Sequence, residues 1–327
     1  MHVDVVVLGW LGDSHVDSVL VHLDAAGVSS ICLNQITLWH DTVTFQPENM
    51  RLQVGDQALT SCLLIWNRRA YPTALDYMNR GEKKFARGEF VHALFGALRA
   101  LSKTWFNSPD AVQYASYKAT QLAWVAGDGR LKFPHSLITS NVDQANAFIN
   151  SKPCRYIIKP LYLPLIESDH GTQVVYTSLV DTQIREHLGE IKNSPCIVQE
   201  FIERKYDARV NVVGNQIFGT RMDTRHIEEA AIDGRRVYDY HDILHTPIEL
   251  PSMISSACTD MCKDFGLRFG AFDFVIDEND NWFFLEVNPN GQWYWIEEMT
   301  GQPLSAAMAS EIYRLSKSAT RGFALKS

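Results

Sequence analysis

The chain has 327 residues, 46% of them hydrophobic, and a formal net charge of −8. This is enough apolar material for more than one buried core, and the acidic balance argues against a general nucleic-acid backbone binder. No apolar stretch approaches the roughly 20 residues needed to span a bilayer, so no membrane partner is expected. Six cysteines at 32, 62, 154, 196, 258 and 262 are scattered. Cys258 and Cys262 lie one helical turn apart, but no second pair completes a zinc site. Reduced thiols in a cytoplasmic protein are the expectation.

From the start, Val3 to Gly9 reads as a buried strand; no basic flank marks a signal peptide. Asp17 to Ala26 reads as a helix with Gly27 at its C-terminus. Gly9-Trp10-Leu11-Gly12 lacks the third glycine of the dinucleotide fingerprint, so no nucleotide is placed there. Asp13, His15 and Asp17 could be drawn as a metal trio, but a helix cap at Asp13 or Ser14 is the plainer reading. A strand at 31–33, a hairpin near 42–59 and a strand at 62–66 complete a first α/β unit. Residues 83–106 carry Phe85, Phe90, Val91, Leu94, Leu98, Leu101 and Trp105 near helical spacing. They read as one amphipathic helix whose apolar side suits core packing or a homodimer contact, and Asn107-Ser108-Pro109 stops it.

Helices are expected at 114–126, 143–149, 182–191, 253–265 and 303–316. A strand at 155–159 takes 173–177 as its hairpin partner across the loop 161–172. Further strands are expected at 196–199, 207–213, 216–222 and 236–240. Two apolar runs, Phe272 to Ile276 and Trp282 to Val287, flank Asp277-Glu278-Asn279-Asp280-Asn281 and read as an antiparallel hairpin.

That hairpin carries the sharpest chemistry. Asp273, Glu286 and Asn288 are hard oxygen donors, and Glu286 and Asn288 share a strand face. Glu286 sits inside a run of Trp, Phe, Leu and Val, where an unpaired charge is costly. Such a set suits Mg²⁺ held together with nucleotide phosphates. Lys118 and Lys159 are candidate phosphate ligands; Lys159 ends an apolar strand just before Pro160. Arg221, Arg225, Arg235 and Arg236 form a cationic group between the central strands and the metal cluster, suited to an anionic substrate.

Together these segments resemble the ATP-grasp ligases. The string Phe284-Leu285-Glu286-Val287-Asn288-Pro289-Asn290-Gly291-Gln292-Trp293 looks like their magnesium motif. Asn107-Ser108-Pro109, Lys118-Ala119-Thr120-Gln121-Leu122, Phe133-Pro134 and Ile157-Ile158-Lys159-Pro160 follow in the family's order. The run through Trp295, with the Trp105-Phe106-Asn107 pattern, is similar to the branch that macrocyclises ribosomal peptides, the microviridin-type or graspetide synthetases.

The resemblance implies an α/β ATP-grasp fold with an N-terminal domain at 1–106, a central lobe at 107–195 and a C-terminal lobe at 196–327. It implies ATP and Mg²⁺ as cofactors, and a ribosomal precursor peptide with a leader as partner. Lys118, Lys159, Gln199, Glu200, Phe201, Ile202, Asp207 and Arg235 would bind ATP. Main-chain groups at Glu200 and Phe201 would meet adenine, and Asp207 the ribose. Asp273, Glu286 and Asn288 would hold the metal, while Arg209, Arg221 and Arg235 would serve the chemistry. Arg68, Arg221, Arg225 and Trp293 would contact substrate. The glycine-poor loop 161–172 departs from the glycine-rich lid of many ATP-grasp proteins. The implied function is activation of side-chain carboxylates as acyl phosphates, then ester or amide closure. The rivals are a ligase that adds a free amino acid and a nucleotide-binding regulatory protein.

Overall fold

The computed structural model of the chain describes residues 2–34, 42–68, 80–102, 104–162, 165–168, 171–225, 227, 232 and 240–324. The first part is a small α/β layer. Strand β1 (His2–Gly9) is followed by α1 (Ser14–Ala25) and β2 (Ser30–Asn34). A three-stranded antiparallel meander comes next: β3 (Val43–Gln46), β4 (Arg51–Val54) and β5 (Gln57–Leu59). Then come β6 (Ser61–Asn67), α2 (Arg80–Leu101) and β7 (Trp105–Phe106). The main sheet has the order β2-β1-β6-β7 with all pairs parallel. Val5 to Leu8 are all buried, as suits a parallel strand covered on both faces. Asp13 caps α1 by accepting from the His15 N–H at 3.0 Å, and Asp17 accepts from the Gly12 N–H, so the three acidic and histidine groups make a helix start rather than a metal trio.

The expected helix over 83–106 ends at Leu101. Trp105 and Phe106 instead pair with Ile65 and Trp66 and extend the sheet, because their bulk is buried better there than one turn further along an exposed helix.

A second lobe follows. It contains α3 (Pro109–Ser116), α4 (Lys118–Asp128), β8 (Ser136–Thr139), α5 (Val142–Ile149) and β9 (Tyr156–Lys159). It continues through β10 (Leu165–Ser168), β11 (Gly171–Val174), β12 (Ser178–Leu179), α6 (Thr182–Glu186) and β13 (Cys196–Glu200). Its sheet has the order β12-β9-β13-β8. The single helix expected over 114–126 is two helices. Tyr117 adopts an extended backbone (φ −78°, ψ 103°), which ends α3 and places Lys118 at the first turn of α4. β9 does not pair with 173–177. It pairs with β12 and β13, while β10 and β11 close a separate two-stranded hairpin. The helix expected over 182–191 breaks after α6 into a 3-10 turn at Leu188–Asn193.

The last sheet, in the order β16-β15-β14-β17-β18, is wholly antiparallel. Its strands are β14 (Tyr206–Val213), β15 (Gln216–Asp223), β16 (Leu244–Ile248), β17 (Phe269–Ile276) and β18 (Trp282–Asn288), with α7 (Ser252–Asp264) before β17. The strand expected at 236–240 falls largely outside the described residues; β16 begins at Leu244. The β17–β18 turn forms as expected. Asp277 Oδ1 accepts from the N–H groups of Asn279 (2.9 Å) and Asn281 (2.8 Å), and Asp280 takes a positive φ of 60°. Helices α8 (Tyr294–Thr300) and α9 (Leu304–Ala324) close the described chain. α9 returns to pack on α1 and β6. Met308 and Ile312 therefore share one buried cluster with Val5, Leu64, Trp66 and Trp293. Among the described residues no helix is long and apolar enough to cross a membrane.

Candidate active site

Three carboxylate and cation positions lie in one row across the last sheet. Arg209 on β14 is opposite Asp273 on β17, and Asp273 is opposite Glu286 on β18. Cross-strand partners share a face, so all three side chains emerge together. A bulge follows Asp273 and breaks the register just beyond this row. Arg209 Nε stands 2.6 Å from Asp273 Oδ1, and Lys118 Nζ is paired with Glu286. Asn288 shares the face of Glu286 at the strand end, where it is exposed and its Oδ1 accepts from the Asn290 N–H at 3.0 Å.

This row forms part of the wall of a cleft of about 470 Å³ between the last two sheets. Lys118, Lys159, Gln199, Glu200, Phe201, Ile202, Asp207, Arg209, Asp273 and Glu286 all line it. Ten predicted positions from five strands, one helix and the segment 201–202 just after β13 thus converge. Gln199 is fully buried. Its Nε2 donates to Ser136 Oγ at 2.7 Å, while its Oε1 has no hydrogen-bond partner among the described residues. The Glu200 N–H donates to the His135 carbonyl and the Phe201 N–H to the Arg155 carbonyl, both at 2.8 Å. These two amides are therefore committed to the sheet. A ligand edge is left with carbonyl oxygens there and with the Ile202 N–H. Asp207 is held by Arg204 at 3.1 Å and accepts from Thr224 Oγ1 at 3.3 Å. Burial pushes its carboxyl up, against the lowering pull of Arg204.

Other expectations do not reach the cleft. Arg221 pairs with Ala208, which is buried on the sheet face opposite Arg209. Its guanidinium lies 4.5 Å over the Tyr206 ring, so strand alternation turns it away from the metal row. Arg225 lies 4.7 Å over the same ring and binds the Asp223 carboxylate at 2.6 and 2.9 Å. Arg68 is 3% exposed; its Nη1 donates to the Asn290 carbonyl at 3.0 Å and its Nε is 3.7 Å from Asp13. Trp293 is 1% exposed, its ring edge-on to His15, and its main-chain N–H donates to His15 Nε2 at 3.0 Å. Both residues are structural: they dock the segment after β18 onto the first sheet, and neither has surface left for a substrate. Arg235 and Arg236 lie outside the described residues.

Among the cleft residues that the sequence does not single out are Trp295 and His245. Trp295 lines the cleft beneath Arg209, with the guanidinium 5.8 Å from its ring centre. His245 lines it from β16. Only the resemblance string touched Trp295, and nothing local marked His245.

The donor set fits a hard divalent cation. Among the described residues no three His, Cys, Asp or Glu side chains form a metal group by themselves. Two facing carboxylates and a nearby amide leave coordination sites for phosphate oxygens and water, the arrangement that suits Mg²⁺.

Comparison with known proteins bears on the fold. A Chryseobacterium gregarium RiPP-associated ATP-grasp ligase, solved in complex with ADP and a leader and core peptide, superposes with a TM-score of 0.85 at 24% identity; 95% of this chain and 96% of that chain are covered. The macrocyclase MdnC of Microcystis aeruginosa MRC, bound with precursor peptide MdnA, gives 0.82 at 23% identity, covering 96% and 99%. The ATP-grasp ligase PsnB complexed with minimal precursor gives 0.79 at 21%, covering 97% and 100%. At these identities the likeness establishes the fold. No curated protein matches the chain. The model of the RimK-like ATP-grasp domain matches residues 115–312, more than half of the sequence, and the chain belongs to that family.

Proposed function

We propose that this chain is an ATP-dependent ligase that closes ester or amide rings within a ribosomally made precursor peptide. The observation that carries the reading is the facing pair Asp273 and Glu286 beside Lys118 in the cleft. Support for a peptide substrate comes from the likeness, over almost the full chain, to ligases solved with precursor peptides.

ATP lies in the cleft between the central and C-terminal lobes. The buried, unpartnered Gln199 Oε1 suits the exocyclic amine of adenine. The Ile202 N–H and a neighbouring carbonyl of Glu200 or Phe201 suit the rest of that edge. Asp207 accepts from the ribose hydroxyls. Lys118 and Lys159 meet the phosphates as compact charges. Asp273, Glu286 and Asn288 hold Mg²⁺, which when bound neutralises charge on the phosphates. A peptide carboxylate attacks the γ-phosphate, the bond to the bridging oxygen breaks and ADP leaves, and Arg209 lies where charge develops on the acyl phosphate. A hydroxyl or amine of the same peptide then displaces phosphate. No enzyme nucleophile is needed: burial pushes the Cys262 thiol up to about 12, and the Cys258 thiol well up too. A leader segment bound away from the chemistry supplies affinity that small reacting groups lack. Six free cysteines support a reducing, cytoplasmic setting.

The test uses a short peptide rich in Asp and Glu, with Thr, Ser or Lys, to be sought in the reading frames beside the gene for this chain. Incubation with ATP and Mg²⁺ should give products lighter by one water per ring. A ligase of free amino acids would give a heavier acceptor, and only when an amino acid is supplied. Mass gain by the acceptor overturns the reading.

A further inference from the structure

His245 on β16 is opposite Met222 on β15, and Met222 is opposite Asp207 on β14. The three share the cleft face. The His245 ring stands edge-on to Trp295, 5.1 Å between centres, and Arg209 stacks 5.8 Å from the centre of the same indole. His245 is thus one indole away from the Arg209–Asp273 pair. It is only 8% exposed, yet neither ring nitrogen has a hydrogen-bond partner of good geometry among the described residues. Native structures rarely bury a polar atom without use, so a group lining a cleft in this state points to a partner brought by a ligand.

Three carboxylates of the cleft are already committed to charged partners. Asp207, Asp273 and Glu286 each face a cation. The imidazole differs. Burial holds it below its ordinary value, the Ile243 main chain pulls the other way, and His241 adds to the lowering. It is therefore neutral at pH 7, with a lone pair to offer.

We propose that His245 is the general base of ring closure, taking the proton of the attacking hydroxyl or amine. The nucleophile's oxygen or nitrogen bonds to the acyl carbon. The bond from that carbon to the phosphate's bridging oxygen breaks, and phosphate leaves with the electron pair. The proton passes to a ring nitrogen of His245 and then to solvent. This role rests on the ligase reading above, and it belongs to the second half-reaction alone.

That separation makes the test. Wild type, His245→Gln and His245→Ala are each given ATP, Mg²⁺ and the acidic precursor peptide that the ligase test identifies. ADP release and trapping of the acyl phosphate by hydroxylamine report the first half; ring closure by mass reports the second. Hydroxylamine is nucleophilic enough to need no base. Both variants should keep hydroxamate yield within about threefold of wild type and lose roughly 10²–10⁴-fold in ring closure, the usual contribution of a general base. Added imidazole should restore part of the loss in His245→Ala. Ring closure at the wild-type rate in either variant overturns the role. So does hydroxamate yield that falls in step with ring closure, which would make His245 a structural or activating residue. If wild type itself shows no peptide-dependent ADP release, it is the ligase reading that fails, not the assignment of the base.

Discussion

Gln121 holds Val287 by both of its main-chain groups. Its Nε2 donates to the Val287 carbonyl and its Oε1 accepts from the Val287 N–H, each at 2.9 Å, while Nε2 also reaches the Ala115 carbonyl at 2.6 Å. β18 is an edge strand, so this one side chain replaces a missing neighbour strand between Glu286 and Asn288. Gln121 also lies one turn past Lys118 on α4. A single buried amide therefore fixes the distance between Lys118, the lysine proposed for phosphate, and β18. Replacing Gln121 with Leu strands two carbonyls and an N–H, at a cost of about 2–4 kcal/mol. A urea midpoint that falls accordingly, with weaker Mg²⁺-nucleotide binding, is the expected result. An unchanged midpoint would show that β18 does not depend on this clamp.

Removing either metal carboxylate should stop turnover while leaving the fold intact. In Asp273→Asn and Glu286→Gln the cross-strand row stays, but the charge that draws Mg²⁺ is gone. Loss of several kcal/mol of charge stabilisation corresponds to about 10²–10³-fold or more in rate. The measurement is peptide-dependent ADP release at saturating Mg²⁺. Near-normal rates in either variant would remove the metal from this pair.

The hairpin bearing these carboxylates was legible because its evidence is local. Apolar runs, an Asx-rich turn and acidic strand positions lie within twenty residues. What failed to show is what depends on distant contact. Gln121 meets a residue 166 positions away, so nothing beside it marks its task. Arg221 and Trp293 looked like site residues by type and neighbourhood. Strand register turned the first to the opposite face, and the first sheet's core took the second. His245 was missed because β16 follows a stretch with weak strand signals and becomes a sheet member only by pairing with β15. Trp105 was read by helical period, although a parallel strand offered it a better partner.

Lys159 should matter for binding rather than for folding. It ends β9 at the cleft, where a phosphate oxygen would otherwise lose its charged partner. Lys159→Met should weaken binding of a non-hydrolysable ATP analogue by about 1.5–3 kcal/mol, roughly 10–100-fold. Calorimetric titration gives the number directly, and an unchanged dissociation constant moves the phosphates elsewhere.

Asp13 predicts a pH-dependent contribution to stability. Burial pushes its carboxyl up, but the hydrogen bond to His15 and the charge of Arg68 outweigh it, and the group sits below the ordinary 3.8. A folded value below the unfolded one stabilises above the unfolded pKa and is lost as pH falls through the folded one. Asp13→Asn should therefore cost about 1–3 kcal/mol across the range from about pH 5 to about pH 8. The gap from wild type should then narrow below about pH 4. Urea unfolding at a series of pH values checks this; a gap that widens toward acid would reverse the assigned sign.

Asn107 joins the first sheet to the metal segment under backbone strain. Its φ is 52°, in the left-handed region, and it is 2% exposed. Its Nδ2 donates to the carbonyls of Phe269 (2.8 Å) and Pro289 (2.7 Å), and its Oδ1 accepts from the N–H groups of Arg268 (2.7 Å) and Phe269 (3.1 Å). One side chain thus ties the start of β17 to the turn just after Asn288. Asn107→Gly keeps the backbone conformation available but leaves four main-chain groups without this partner. Asn107→Ala loses the same bonds and adds roughly 1–2 kcal/mol for a side chain held at positive φ. Both variants should be destabilised by more than about 2 kcal/mol, with Ala the worse. Glycine proving worse than alanine, or equal unfolding midpoints for both, would mean that the backbone relaxes out of the left-handed region and that the four hydrogen bonds alone set the position of the metal segment.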